Sequence, residues 1–134
     1  MRMSLSGSFA LAILATVFAV GADPALAGGA CPSHAPEARL AAIKAAGTCQ
    51  KALQIDQHCS IGALGDLSPG AAVVKKCEKD FKNRLSKRQR ARYESARNVC
   101  IEKYSKRHGS GARSATIHCL EDVAAKYSAK YGRR

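Results

Sequence analysis

Six cysteines, at positions 31, 49, 59, 77, 100 and 119, and four histidines carry most of the chemistry open to this 134-residue sequence. Histidine adjoins cysteine twice, in His58-Cys59 and His118-Cys119, and Cys31 and His34 form a C-x2-H pair. Thiolate and imidazole in such company suit zinc or copper. Neighbouring helical residues point about 100° apart, however, so an adjacent pair rarely grips one ion. An oxidising compartment would also consume the thiolates. The expectation is disulfides beside exposed histidines, with no metal and no cofactor. There is no C-x-x-C-H for haem attachment and no C-x-x-C for thiol–disulfide exchange. Hydrolase, zincin and phosphate-loop motifs are missing as well. Gly109-Ser110-Gly111 reads as a turn that needs positive φ. Glu121-Asp122 reads as a helix-stabilising acidic pair near the start of the last helix. No catalytic residues are assigned, and the protein is not expected to be an enzyme.

The other chemical feature is electrostatic. The stretch KKCEKDFKNRLSKRQRAR holds nine basic side chains, Lys75, Lys76, Lys79, Lys82, Arg84, Lys87, Arg88, Arg90 and Arg92, against two acidic ones. The whole chain is +12. A nucleic-acid groove usually adds aromatics for stacking, and here Phe81 and Tyr93 fall on the apolar side of the helices. Membrane insertion favours a bulky apolar face with Trp or Phe, and the chain has no Trp. What remains is a solvated helix surface able to attract polyanions at long range.

The N-terminus names the compartment in which such a surface would act. Arg2 precedes an apolar run from Phe9 to Val20, and Ala25-Leu26-Ala27 ends the segment. This is the layout of a secretory signal peptide, with cleavage expected after Ala27. The run is about a dozen residues, short of the ~20 that span a bilayer. The expected organisation is a cleaved signal peptide, 1–27, and a single domain, 28–134, without a transmembrane span, in the periplasm or the medium. The abundant polyanions there are lipid head groups, lipopolysaccharide and acidic polysaccharides.

The elements that position these groups must be helices held by staples. From residue 28 on, Leu, Ile, Val, Phe and Met together number sixteen, too few for an unaided core. An even number of cysteines in an exported chain implies three disulfides. Cys100 and Cys119 lie symmetrically about the Gly109–Gly111 turn, and Cys59 and Cys77 about Ser68, which favours the sequential set 31–49, 59–77 and 100–119. The rival crosses the middle pairs, for example 49 with 77. Apolar spacing predicts a helix from Pro36 to about Gln57, buried along Leu40, Ile43, Ala46, Cys49 and Leu53. A second starts near Pro69 with Ser68 as N-cap and buries Val74, Cys77, Phe81 and Leu85. Ser86 and Gln89 form a capping box that breaks the chain near 85–87. A third helix then turns Tyr93, Ala96, Cys100 and Tyr104 inward, and a last one uses Ile117, Leu120, Ala124, Tyr127 and Tyr131. The fold expected is an all-α, disulfide-stapled bundle of three to four helices with antiparallel hairpins.

Residues 85–131 resemble the LprI-type lysozyme-inhibitor family of exported, cysteine-stapled helical domains. Leu85, Gln89, Arg90, Tyr93, Arg97, Cys100, Cys119 and Leu120 correspond in type to that family's helix–turn–helix pattern. The resemblance implies a stapled hairpin and, as a function, inhibition of lysozyme. Two binding functions therefore stand side by side, an anionic envelope component or a protein such as lysozyme, with a ligand-free structural role as a further alternative. Nucleic acid is disfavoured.

Overall fold

The computed structural model describes residues 31–132. The expected signal peptide and its cleavage site lie outside the described residues. Pro36, whose fixed φ suits a first helical position, opens α1 (Pro36–Ala45). Thr48 caps α2 (Cys49–Cys59), its hydroxyl accepting a 3.1 Å hydrogen bond from the Lys51 amide. Three longer helices follow: α3 (Leu67–Phe81), α4 (Lys87–Ser105) and α5 (Ser110–Tyr131). Single 3-10 turns, Leu64–Asp66 and Lys82–Arg84, precede α3 and follow it. No strand occurs among the described residues. The all-α stapled bundle is thus as expected, but the described residues form five α-helices rather than three or four.

The extra helix comes from a break inside the stretch 36–57. Ala46 leaves the helical region with ψ 132°, and Thr48 starts a new helix two residues later. Gly47, a poor helix former, lies between them. At the next boundary the helix begins at Leu67, with Asp66 rather than Ser68 in the N-cap position. The expected break after Leu85 is present. Gln89 N donates to Ser86 Oγ at 3.2 Å and Ser86 N donates to Gln89 Oε1 at 2.8 Å. Gly109, at φ 98°, makes the last turn.

Two apolar clusters hold the bundle. Ile43, Cys49, Ala52, Leu53, Val73, Val74, Cys77, Ala124 and Ala125 form one. Phe81, Leu85 and Tyr93 form the other, with Val123, Tyr127 and Tyr131 packed against them. Phe81 meets Tyr93 edge-on at 5.0 Å and Tyr93 meets Tyr127 at 4.9 Å between centroids. Such pairs add about 0.5–1.5 kcal/mol each beyond their burial, which offsets the shortage of large aliphatic side chains.

The disulfides join Cys31 to Cys59, Cys49 to Cys77 and Cys100 to Cys119. The hairpin pair is where the turn symmetry puts it; the sequential pairs 31–49 and 59–77 do not occur. The reason is the length of α2. Cys49 and Cys59 stand at its two ends, about 15 Å apart at 1.5 Å per residue, far beyond the roughly 7 Å limit for a shared partner region. Cys49 reaches the end of antiparallel α3, and Cys59 reaches back to the segment before α1.

Candidate functional site

The basic residues expected to bind polyanions run over the second half of α3, the 3-10 turn and the first half of α4. Lys75, Lys79, Arg84, Lys87, Arg88, Arg90 and Arg92 are exposed. Lys76 and Lys82 are half-buried and turned to partners in the chain: Lys76 Nζ donates to the Lys44 carbonyl at 3.0 Å and Lys82 Nζ pairs with Glu78 at 3.1 Å. Seven of the nine therefore make the solvent-facing surface, which is a corner between two helices.

A second site was missed by sequence reasoning. Arg39 of α1 is 1% exposed, and Asp56 of α2, Asp66 and Glu121 of α5 are fully buried. Arg39 donates to the carbonyls of Cys59 and Gly65 at 2.6 Å each. It pairs with Asp66 at 2.9 Å and stands 3.3 Å from Asp56 Oδ1 through Nε. Asp66 is enclosed by donors: Ser114 Oγ at 2.6 Å, Ser60 Oγ at 2.9 Å, and the amides of Ala63 at 3.0 Å and Ile61 at 3.2 Å. Burial pushes the Asp66 carboxyl up, but the hydrogen bonds from Ser114, Ile61, Arg39 and Ser60 outweigh it and hold the group well below the usual carboxylate range.

Asp56 and Glu121 are served differently. Among the described residues no N–H or hydroxyl donates to either Asp56 oxygen or to Glu121 Oε1. Burial, then a hydrogen bond shared with Glu121 and that group's charge, raise the Asp56 carboxyl to about 7, against the pull of Arg39 and His118. A bond between two carboxyls requires a proton on one of them. His118, one turn before Glu121, closes the group at 27% exposure. Its Nδ1 lies 3.2 Å from Glu121 Oε2 and 3.9 Å from Asp56 Oδ2, and its Nε2 lies 2.7 Å from Ser60 Oγ. The Glu121 hydrogen bond raises the imidazole above its ordinary value, with burial opposing and the three carboxylates assisting. Arg39 brings one positive charge, shared between Asp66 and Asp56, to a group of three buried carboxylates.

Two expectations are corrected here. His118 is not an exposed neighbour of a disulfide cysteine but a half-buried member of this cluster. Glu121 is not a solvent-facing acid at a helix start; it lies in the middle of α5 and is fully buried, while its neighbour Asp122 is exposed and accepts from Gln57 at 3.2 Å. His58 and His34 do sit on the surface, each within reach of a backbone carbonyl, Gln54 O at 2.7 Å and Cys59 O at 3.3 Å. The sequence does contain a signal for the cluster. Ser114, Ile117, Glu121 and Ala124 continue one helical stripe, and Asp56 falls on the stripe of Cys49, Ala52, Leu53 and Cys59.

Compared with family models, curated proteins and solved structures, the chain matches none of the three. All six cysteines are disulfide-bonded, the chemistry of an oxidising compartment. Among the described residues no helix is long and apolar enough to cross a membrane.

Proposed function

We propose that the protein is exported and binds an anionic component of the cell envelope through the basic corner of α3 and α4. The observation that carries this reading is the exposure of Lys75, Lys79, Arg84, Lys87, Arg88, Arg90 and Arg92 along one continuous segment. The corner presents charge without an apolar anchor, since Phe81 and Tyr93 are packed inside. Adsorption would therefore be electrostatic, contributed by many side chains at about 1 kcal/mol each near an anionic surface. The fold's rigidity keeps these charges displayed, because Cys77 and the Ser86–Gln89 box fix both helices behind them.

Sedimentation of the oxidised protein with phosphatidylglycerol vesicles and with phosphatidylcholine vesicles, over a salt series, tests this. Binding to the anionic vesicles alone, lost steeply as salt rises, is the expected result. Replacing Lys79, Lys87 and Arg88 by Gln should weaken it in steps. Absence of binding at low salt overturns the proposal. The lysozyme-inhibitor resemblance would then be tested with the same protein in a cell-wall lysis assay.

A further inference from the structure

We infer that Asp56, His118 and Glu121 form a binding site for one divalent transition-metal ion, joining α2 to α5. One ligand atom from each residue lies within 4.8 Å of the other two. Asp56 and Glu121 are fully buried, and among the described residues no N–H or hydroxyl donates to either oxygen of Asp56 or to Oε1 of Glu121. Most buried carboxylate oxygens are hydrogen-bonded; here Arg39 Nε stands 3.3 Å from Asp56 Oδ1 without making such a bond, and its single charge leaves the Asp56–Glu121 pair short of positive charge. The contrast is Asp66, a few ångströms away, whose oxygens are met by two hydroxyls, two amides and Arg39.

The imidazole is held ready for such an ion by the hydrogen bond on its far side. Ser60 directs its one hydroxyl proton to Asp66 Oδ2 at 2.9 Å, and so accepts from His118 Nε2 at 2.7 Å. With Nε2 keeping its proton on Ser60, an ion would displace the Nδ1 proton otherwise held against Glu121 Oε2 and take the Nδ1 lone pair, which faces Glu121 Oε2 and Asp56 Oδ2. A ligating histidine whose other ring nitrogen is held by a carboxylate-backed partner is the usual arrangement around a bound metal. Spacing agrees with this. Ligands about 2.0–2.1 Å from a tetrahedral zinc stand roughly 3.4 Å from one another. The His118–Glu121 separation is already 3.2 Å, and the His118–Asp56 separation of 3.9 Å needs only a small closure.

Charge and access agree as well. With Arg39 paired to Asp66, a divalent ion would balance Asp56 and Glu121 and leave the buried group neutral. His118, 27% exposed, is the solvent-facing member of the group. One imidazole with two carboxylates suits Zn2+ or Mn2+; Mg2+ and Ca2+ prefer six or more oxygen ligands. No disulfide ties α5 to α2, so the ion would supply a cross-link that the cysteines do not.

The test is titration of the oxidised, chelator-stripped protein with Zn2+ by calorimetry, and with Co2+ by visible absorption. One ion per chain, a visible d–d spectrum, and a rise in Tm with Zn2+ but not with Mg2+ are expected. Glu121→Gln and His118→Asn should each weaken Zn2+ binding at least tenfold, whereas His58→Asn, on the surface, should leave it unchanged. No saturable binding to the unmutated protein overturns the inference, and so does one-to-one binding that survives loss of His118. The unmutated titration and the His58 variant decide the matter even where a buried substitution fails to fold.

Discussion

Gly70 of α3 lies directly against Glu121 of α5: a β-carbon added at Gly70 would run into Glu121 Oε1 and the side chain of Ile117. The close approach of α3 to Glu121 and Ile117 of α5 thus depends on one missing side chain. In an exposed helix Gly→Ala gains about 1 kcal/mol from propensity. Here the overpacking cost, about 1–3 kcal/mol, falls on a carboxylate that cannot swing to solvent. Gly70→Ala should therefore lower stability, measured as a reduced Tm. An unchanged or higher Tm would mean that the helices are not in this contact.

Arg39 is the counterpart of that contact on the other side of the cluster. It serves Asp66, Asp56 and two carbonyls at once. Removing one partner of a buried ion pair costs about 3–5 kcal/mol, because the other charge remains in the interior. Arg39→Met should show this loss in urea denaturation. Arg39→Lys should recover only part of it, since a point charge cannot reach four acceptors in a fork. Arg88→Gln on the surface should change stability by less than about 0.5 kcal/mol.

Where the helices start and stop was largely legible in the sequence. Pro36, the Ser86–Gln89 box and Gly109 are local signals, and each acts locally in the structure. The aromatic cluster followed from the spacing of Phe81, Tyr93, Tyr127 and Tyr131. The break at Gly47 was not legible, because a lone glycine inside an apolar stripe is tolerated as often as it interrupts. That one miss displaced Cys49 onto a separate helix and with it two of the disulfides. The buried cluster was hidden for another reason. Charged residues default to the surface, and what permits Arg39 and Asp66 inside is the folded loop 60–66, whose amides, carbonyl and hydroxyl converge only in three dimensions.

The cysteine pairing can be read directly. Trypsin should place Cys49, Cys59, Cys77, Cys100 and Cys119 on separate peptides, since Lys or Arg lies between each neighbouring pair. Non-reducing mass spectrometry is expected to find the Cys49 peptide joined to the Cys77 peptide and the Cys100 peptide to the Cys119 peptide. A 59–77 link would contradict the fold. The bridges span 28 and 19 residues, so each should contribute about 3–4 kcal/mol through the unfolded chain. Replacing Cys100 and Cys119 together by Ala should give a loss of that order in urea denaturation.

The buried carboxyls set an unusual pH dependence for the chelator-treated protein, in which Asp56 keeps a proton despite the nearby charges of Arg39 and His118. Arg39 faces Asp56 from α1, and His118 and Glu121 face it from α5. Its folded value, about 7, lies above the unfolded 3.8. Between these the folded state holds the extra proton, so stability falls as pH rises from about 4 to 7. His118, also raised, continues the loss above its ordinary 6.5. Asp66 acts in the opposite sense, since its lowered value makes stability fall only as pH drops below about 4. The optimum should therefore lie near pH 4–5, with at most about 4 kcal/mol lost from the Asp56 shift by pH 8, at 1.4 kcal/mol per unit. Tm measured at pH 4.5, 6 and 8 should decline in that order, and Asp56→Asn, neutral at every pH, should flatten the decline. A Tm that rises towards pH 8 in the presence of chelator would show that Asp56 is ionised in the folded protein.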